Sequence, residues 1–250
     1  MTIRQQQGVI SPCSRCLLRQ YWRVAGTVWL DFDGTLAARP TMWASACLEV
    51  LDDLASGHNL SHKVLDAALS TGMPWHDPAT PHDHLNAPDV WWEAVAVRCH
   101  EAVRDLGVQC SMEDLGLGIR RSITDPSRYL LFDDSLPALE LIATRGWRAA
   151  VVSNHIPELS DVCDGLGIRP HVDWILTSGA TGYEKPHDTV IDMALALTTA
   201  QPVWMVGDSV EADCLPAVRR GLRAVLVRRT DQPFEPRHDT LLAAVHAVCT

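Results

Sequence analysis

The run Val28-Trp29-Leu30-Asp31-Phe32-Asp33-Gly34-Thr35-Leu36 constrains this chain more than any other stretch. An apolar strand ends in two aspartates one residue apart, and a Gly-Thr turn follows. In a strand, residues i and i+2 point the same way. Asp31 and Asp33 are therefore expected to share a site at the carboxyl end of a buried strand, where open α/β sheets bind ligands. Two close carboxylates repel unless a cation or a proton sits between them. The pair suits Mg²⁺, a hard cation that takes one or two carboxylates plus phosphate oxygens.

Three more runs fall in order downstream. Val151-Val152-Ser153-Asn154 ends a second apolar stretch, and Gly182-Tyr183-Glu184-Lys185-Pro186 follows a third. Val206-Gly207-Asp208-Ser209-Val210-Glu211-Ala212-Asp213 closes a fourth. In these four motifs, spread over residues 28 to 213, the chain resembles the haloacid dehalogenase-like (HAD) hydrolase superfamily. It looks most like the capped phosphatase branch that includes sugar phosphatases, phosphoglycolate phosphatase and nucleotidases. Each motif alone is weak, whereas the ordered set is highly specific.

The pattern after residue 24 is a strand, a long helical insert, then alternating strands and helices. Short apolar runs at 25–31, 148–153, 173–177, 203–207 and 223–227 predict strands buried on both faces. Helical periodicity fills 136–144, 157–166, 187–198, 213–220 and 240–248. The alternation predicts an α/β fold, a Rossmann-like parallel sheet flanked by helices with right-handed crossovers. Residues 37–127 break the rhythm, with helical stretches at 42–55, 61–70, 90–106 and 112–123 and almost no strand signal. They are expected to form an inserted α-helical cap, as the resemblance also implies. The predicted organisation is an N-terminal extension (1–24), an α/β core (25–36 and 128–250) and the cap (37–127), with 124–127 as hinge. The Pro-rich run from Gly72 to His84 must be a loop. Its three histidines and two aspartates lack a ligand-fixing helical register, so it reads as a polar surface or lid loop.

A chain of 250 residues, 47% hydrophobic, is long enough for a core domain plus a smaller one. Its formal charge of −10 argues against a nucleic-acid groove or an anionic membrane surface, both of which want Lys/Arg excess. It does not argue against a small anionic substrate, whose site needs only local positive charge. No apolar run approaches the roughly 20 residues of a membrane span. Residues 1–23 lack the apolar stretch of a secretory signal. The eight cysteines are mostly dispersed through helix-like segments, as reduced thiols in a cytoplasmic protein would be. Cys13-x-x-Cys16 has no second pair to complete a zinc site.

The resemblance places the nucleophile at Asp31, which would form an aspartyl-phosphate and so split one hard displacement into two easier ones. Asp33 would protonate the leaving oxygen and later deprotonate the attacking water. Metal contact would hold Asp31 as the anion while close like charge favours a proton on Asp33. Ser153 would offer its hydroxyl to a phosphoryl oxygen, with Asn154 beside it. Lys185 would neutralise charge on the phosphoryl group and on Asp31. Asp208 would bind Mg²⁺ with Asp31 and the backbone carbonyl of Asp33, and Asp213 would complete the acidic shell or orient Lys185. Glu184 reads as structural. Trp29, Trp147, Trp174 and Trp204 read as core. Trp43, Trp75, Trp91 and Trp92 belong to the cap and read as helix packing or as an aromatic wall against the substrate, with the Trp75-to-His84 loop and the Trp91–Trp92 pair, Trp75 and Trp92 above all, as the candidates for that wall.

The expected activity is Mg²⁺-dependent hydrolysis of a small-metabolite phosphomonoester. A phosphomutase shares all four motifs and stays open, as does a non-catalytic phospholigand-binding module. A dehalogenase or phosphonate hydrolase is disfavoured, because their patterns do not keep the acid at Asp33. The expected partner is a small phosphorylated metabolite, with no nucleic acid and no membrane. The sequence is silent on oligomeric state.

Overall fold

A computed structural model describes residues 24–250. The expected N-terminal extension, with Cys13 and Cys16, lies outside the described residues except for Val24. Strand β1 (Thr27–Leu30) is buried at every position, as a central strand covered on both faces requires. A two-residue strand β2 (Ala37–Ala38) follows. The chain then leaves the sheet for helices α1 (Met42–Leu54), α2 (His62–Ala68), α3 (Pro88–Asp105) and α4 (Met112–Thr124). It returns through β3 (Leu130–Leu131), which pairs antiparallel with β2. This small ribbon was not legible in sequence, because two residues a side cannot register an alternation.

From β3 onward strands and helices alternate. Helix α5 (Ser135–Thr144) leads to β4 (Arg148–Ser153), and α6 (Leu159–Gly165) to β5 (Ile175–Thr177). The short α7 (Ser178–Thr181) and α8 (Asp188–Leu197) lead to β6 (Val203–Gly207). Helix α9 (Leu215–Arg219) precedes β7 (Arg223–Val227), and the two-residue β8 (Arg237–His238) precedes α10 (Leu241–Val248). The six-stranded sheet has the order β5-β4-β1-β6-β7-β8, and all its pairings are parallel. The chain crosses from β1 to β4 on one side and to β6 on the other. The carboxyl end of β1 therefore lies at a switch point, where α/β sheets open a crevice.

The predicted helix 213–220 is present as α9 over Leu215–Arg219, but its first turn is replaced by a wide π-turn over Val210–Cys214. Ser209 O accepts from Asp213 N at 3.0 Å and from Cys214 N at 3.2 Å, and Ser209 Oγ caps Ala212 N at 3.0 Å. Wide turns of this kind often mark functional positions. This one carries Asp213 inward, where it is buried. The insert helices are an amphipathic bundle in which α4 packs on both α1 and α3. Ser111 caps α4 by accepting from Asp114 N at 3.2 Å. The insert also reaches the core: α3 meets α7, and α4 meets α6.

Candidate active site

Asp31 stands one residue beyond β1, its N–H held by Val206 O of β6 at 3.0 Å. Ser153 closes β4, Asp208 follows β6, and Lys185 comes from the loop after α7. These carboxyl-terminal loops converge because the strands that feed them are neighbours in register. Gly34, with φ +74°, makes the turn after Asp33 possible, and a Cβ there would fall on the Asp208 carboxylate.

Lys185 organises the centre. Its buried Nζ donates to Asp213 Oδ1 at 2.6 Å, Asp31 Oδ1 at 2.7 Å and Val152 O at 2.9 Å. Three donors meet three acceptors. Burial alone would strip the charge, but Asp213 and Asp31 outweigh it and hold the ammonium well above its ordinary range. Asp213 gives its other oxygen to Ser209 N at 3.0 Å. Of the two roles open to Asp213, the geometry displays contact with Lys185.

Asp31, Asp208 and Asp213 each offer an oxygen within 4.8 Å of the others. Burial, then the charge of Asp31, push the Asp208 carboxyl upward, opposed by the Arg229 guanidinium 3.7 Å away. Such crowding of like charge beside a single lysine fits a hard divalent cation. Lys185 takes only Oδ1 of Asp31, which leaves its second oxygen for an ion or for chemistry. The Asp33 side chain lies outside this group of three. Its Oδ2 is 3.5 Å from His155 Nε2, and the side chain is 42% exposed to the cleft. Crowding by protein atoms, then Asp31 and Asp208, push Asp33 up to about 7.

Ser153 Oγ is buried and has no hydrogen-bond partner among the described residues. A buried hydroxyl lacking a partner at the floor of an acidic cleft suits a ligand oxygen. Asn154 differs from its expected role, since its side-chain amide is bonded to the backbone of Lys185 on both sides. Trp75 lines a cavity beside the cleft with Trp43 and Trp91. Trp92 does not line it. It lies along a groove with Asp89, Glu93 and Arg120, and its Nε1 donates to both oxygens of Glu158 at 3.0 Å. The assignment of Trp92 to the substrate wall is thus corrected: consecutive helix positions point about 100° apart, and Trp91 takes the inner one.

The sequence reading missed His155 and the partner of Glu184. His155 is fully enclosed, edge-on to Phe32 with ring centroids 5.2 Å apart, and burial lowers it to about 4. Its place directly after Ser153-Asn154 was the available signal. Glu184 is 3% exposed, lies 3.4 Å from His82 Nε2, and is pushed by burial up to about 7. The Gly72–His84 run is therefore not wholly a surface loop, because His82 tucks under the lysine loop. Its N–H bonds Gly182 O at 2.8 Å, and Gly182 leaves no room for a Cβ against Asp83.

A parallel sheet of this order, flanked by helices and carrying these groups at its switch point, defines a Rossmann-like α/β core. The profile of the haloacid dehalogenase-like hydrolases matches residues 26–219, and the chain belongs to that family. Haloacid dehalogenase-like hydrolase domain-containing protein 3 of Homo sapiens is 30% identical over 175 residues, covering 69% of this chain and 62% of that protein. A phosphoserine phosphatase of Thermus thermophilus is 33% identical over 112 residues, covering 44% of this chain and 45% of that protein. The chain spans about three fifths of the length of the first curated relatives it matches. Among solved structures, the HAD-hydrolase YfnB of Bacillus subtilis bound to magnesium superimposes with a TM-score of 0.66 at 16% identity, covering 90% of this chain and 98% of that one. At that identity the likeness is one of fold. No helix among the described residues is long and apolar enough to cross a membrane.

Proposed function

We propose that this chain is a Mg²⁺-dependent phosphatase that hydrolyses a small-metabolite phosphomonoester through an aspartyl-phosphate on Asp31. The observation that supports it is the Lys185 ammonium joined to Asp31 and Asp213 in a cleft also lined by Asp33, Ser153 and Asp208. Phosphoryl transfer needs positioning and charge neutralisation more than covalent assistance, and these residues supply both.

Asp31 attacks phosphorus with its carboxylate, and the P–O bond to the leaving group breaks. Asp33 gives its proton to the departing oxygen. The resulting Asp33 carboxylate then takes a proton from water, which attacks the aspartyl-phosphate, releases phosphate and restores Asp31. A carboxyl poised near 7 suits both halves, since it gives and takes a proton at working pH. Ser153 Oγ holds a phosphoryl oxygen, and the Lys185 ammonium, its donors taken by Asp31, Asp213 and Val152, contributes positive charge beside it. Mg²⁺ would be held by Asp31, Asp208 and the backbone carbonyl of Asp33, and supplies charge stabilisation on the transferring group. In this reading the helices between β2 and β3 are a cap that excludes water and large substrates. Cytoplasmic location is part of the same reading, supported by the free thiols of Cys47, Cys99, Cys110, Cys163, Cys214 and Cys249.

The test is release of inorganic phosphate from p-nitrophenyl phosphate with Mg²⁺, abolished by EDTA and restored by added Mg²⁺. Full activity in a rigorously metal-free preparation overturns the metal assignment. Formation of a phosphate isomer without phosphate release assigns a mutase.

A further inference from the structure

Beside the cleft lies a cavity of about 110 Å³ walled by Trp43, Trp75 and Trp91 and floored by Asn154, His155 and Glu184. Asn154 borders both spaces, and His155 reaches to 3.5 Å from the Asp33 carboxylate. The cavity therefore adjoins the Asp33 side of the cleft, the side on which the leaving group of an ester held on Asp31 and protonated by Asp33 would depart. Its size is limiting. A cavity of about 150 Å³ takes one benzene ring, so this one matches a group of roughly four to six non-hydrogen atoms.

The wall and floor have a distinct charge character. Trp43 and Trp75 stack with centroids 4.8 Å apart, and Trp75 and Trp91 stack at 5.4 Å. Indole faces attract ammonium groups. Glu184 Oε2 is buried and has no hydrogen-bond partner among the described residues. Beside Oε1 stands His82, which burial and the neighbouring His84 shift towards the neutral form. A buried carboxylate is costly unless fully paired; the Lys185 charge offsets the burial of Glu184 only in part, and among the described residues no lysine or arginine lines the cavity. A protonated amine satisfies the acid and the indole faces together. A carboxylate on the leaving group would find no cation on the cavity wall, and a neutral alcohol would bring Glu184 no counter-charge. The remaining unpartnered groups, Trp91 Nε1 and the His155 ring nitrogens, are left to oxygen atoms of the ligand or to water.

We propose that this cavity is the leaving-group subsite and that it selects the phosphate ester of a short amino alcohol, with the ammonium seated on Glu184 against the tryptophan wall. The proposal rests on the phosphatase reading above and names the substrate class of that same site.

The full-length protein with Mg²⁺ is assayed on p-nitrophenyl phosphate, O-phosphoethanolamine, glycerol 1-phosphate and O-phosphoserine. The expected kcat/KM for phosphoethanolamine exceeds that for glycerol phosphate and for phosphoserine by at least about tenfold, the size of one charge-assisted hydrogen bond. In Glu184→Gln the ratio of phosphoethanolamine to glycerol phosphate falls toward one. Hydrolysis of p-nitrophenyl phosphate without an amine preference overturns the subsite and leaves the phosphatase reading standing. A ratio unchanged in Glu184→Gln overturns the role of Glu184. Hydrolysis of none of the four overturns the phosphatase reading and this inference with it. The comparison among substrates needs only the wild-type chain, so it holds even if the variant fails to fold.

Discussion

Asn154 grips Lys185 by its peptide group: Oδ1 accepts from Lys185 N at 2.7 Å, and Nδ2 donates to Lys185 O at 2.8 Å. The end of β4 thereby fixes the backbone from which Nζ reaches Asp31 and Asp213. Asn154→Ala removes both bonds and leaves two part-buried backbone groups without partners, at a cost of about 1–3 kcal/mol. The expected result is a lower Tm and a loss in kcat on p-nitrophenyl phosphate larger than the change in KM. A kcat equal to wild type would show that the lysine loop holds itself in place.

Lys185 and Asp213 form a buried ion pair, and removing one partner is expected to cost more than removing both. Lys185→Met leaves Asp31 and Asp213 facing each other without a cation, which should destabilise by about 3–5 kcal/mol. Asp213→Asn in the same chain relieves part of that repulsion. Urea denaturation of the two single variants and the double variant checks this, with a double-variant loss smaller than the sum of the singles expected. Strict additivity would mean that the pair is not coupled.

Asp33 and Asp31 should separate by leaving group. Asp31→Asn is expected to abolish turnover and any covalent phosphoenzyme. Asp33→Asn keeps the nucleophile but loses the proton donor, which slows turnover by about 10²–10⁴-fold. The loss should be greater for an alkyl phosphate than for p-nitrophenyl phosphate, whose leaving group needs less protonation. Equal losses on both would contradict Asp33 as the acid.

The core of this fold was legible because its strands are continuous apolar runs and its site residues sit directly at their ends. Trp29 in β1 shows why: it is buried, and its Nε1 bonds Thr198 Oγ1 at 3.0 Å. Lys185, Asp208 and Asp213 came within reach of Asp31 by the order of motifs alone. What stayed hidden depends on side-chain direction. Trp91 and Trp92 are adjacent in sequence, yet only Trp91 turns to the cavity, and periodicity cannot choose between two apolar neighbours. His82 meets Glu184 across about a hundred residues through a Pro-rich loop whose path no local pattern encodes. Asn154 was expected to contact substrate, and only the docking of the lysine loop against β4 shows that its amide is committed.

Glu184 also makes stability depend on pH in a defined direction. Its carboxyl has an ordinary value of 4.5 and is raised by burial to about 7 in the folded chain. Below about 4.5 both states hold the proton, and the group is neutral to folding. Between about 4.5 and 7 the unfolded chain gives up the proton while the folded chain keeps it, so stability falls as pH rises. Above about 7 the buried charge is fully present. Glu184→Gln removes this dependence. The Tm of the variant minus that of wild type should therefore grow more positive from pH 4.5 to pH 8, measured by differential scanning fluorimetry. A flat difference would place a counter-charge beside Glu184 in the folded state.

Trp75 and Trp92 should respond differently to truncation. Trp92 is buried, hydrogen-bonded to Glu158 and covered by the Arg120 guanidinium 5.8 Å above its ring. Its loss leaves a hole between α3 and α4 and strips Glu158 of a donor, so Trp92→Ala should cost about 3–5 kcal/mol. Activity on folded protein should then fall alike for every phosphate ester. Trp75 is half-buried and forms the middle of the indole stack on the cavity wall. Trp75→Ala should cost less stability, because part of its surface already meets water. It should instead lower kcat/KM for short alkyl phosphates relative to p-nitrophenyl phosphate. A hydrophobic wall discriminates only modestly, so a shift of about 10- to 100-fold is the range to expect. A uniform loss on both substrates for Trp75→Ala would place that residue in the packing of the insert and leave selectivity to the floor of the cavity.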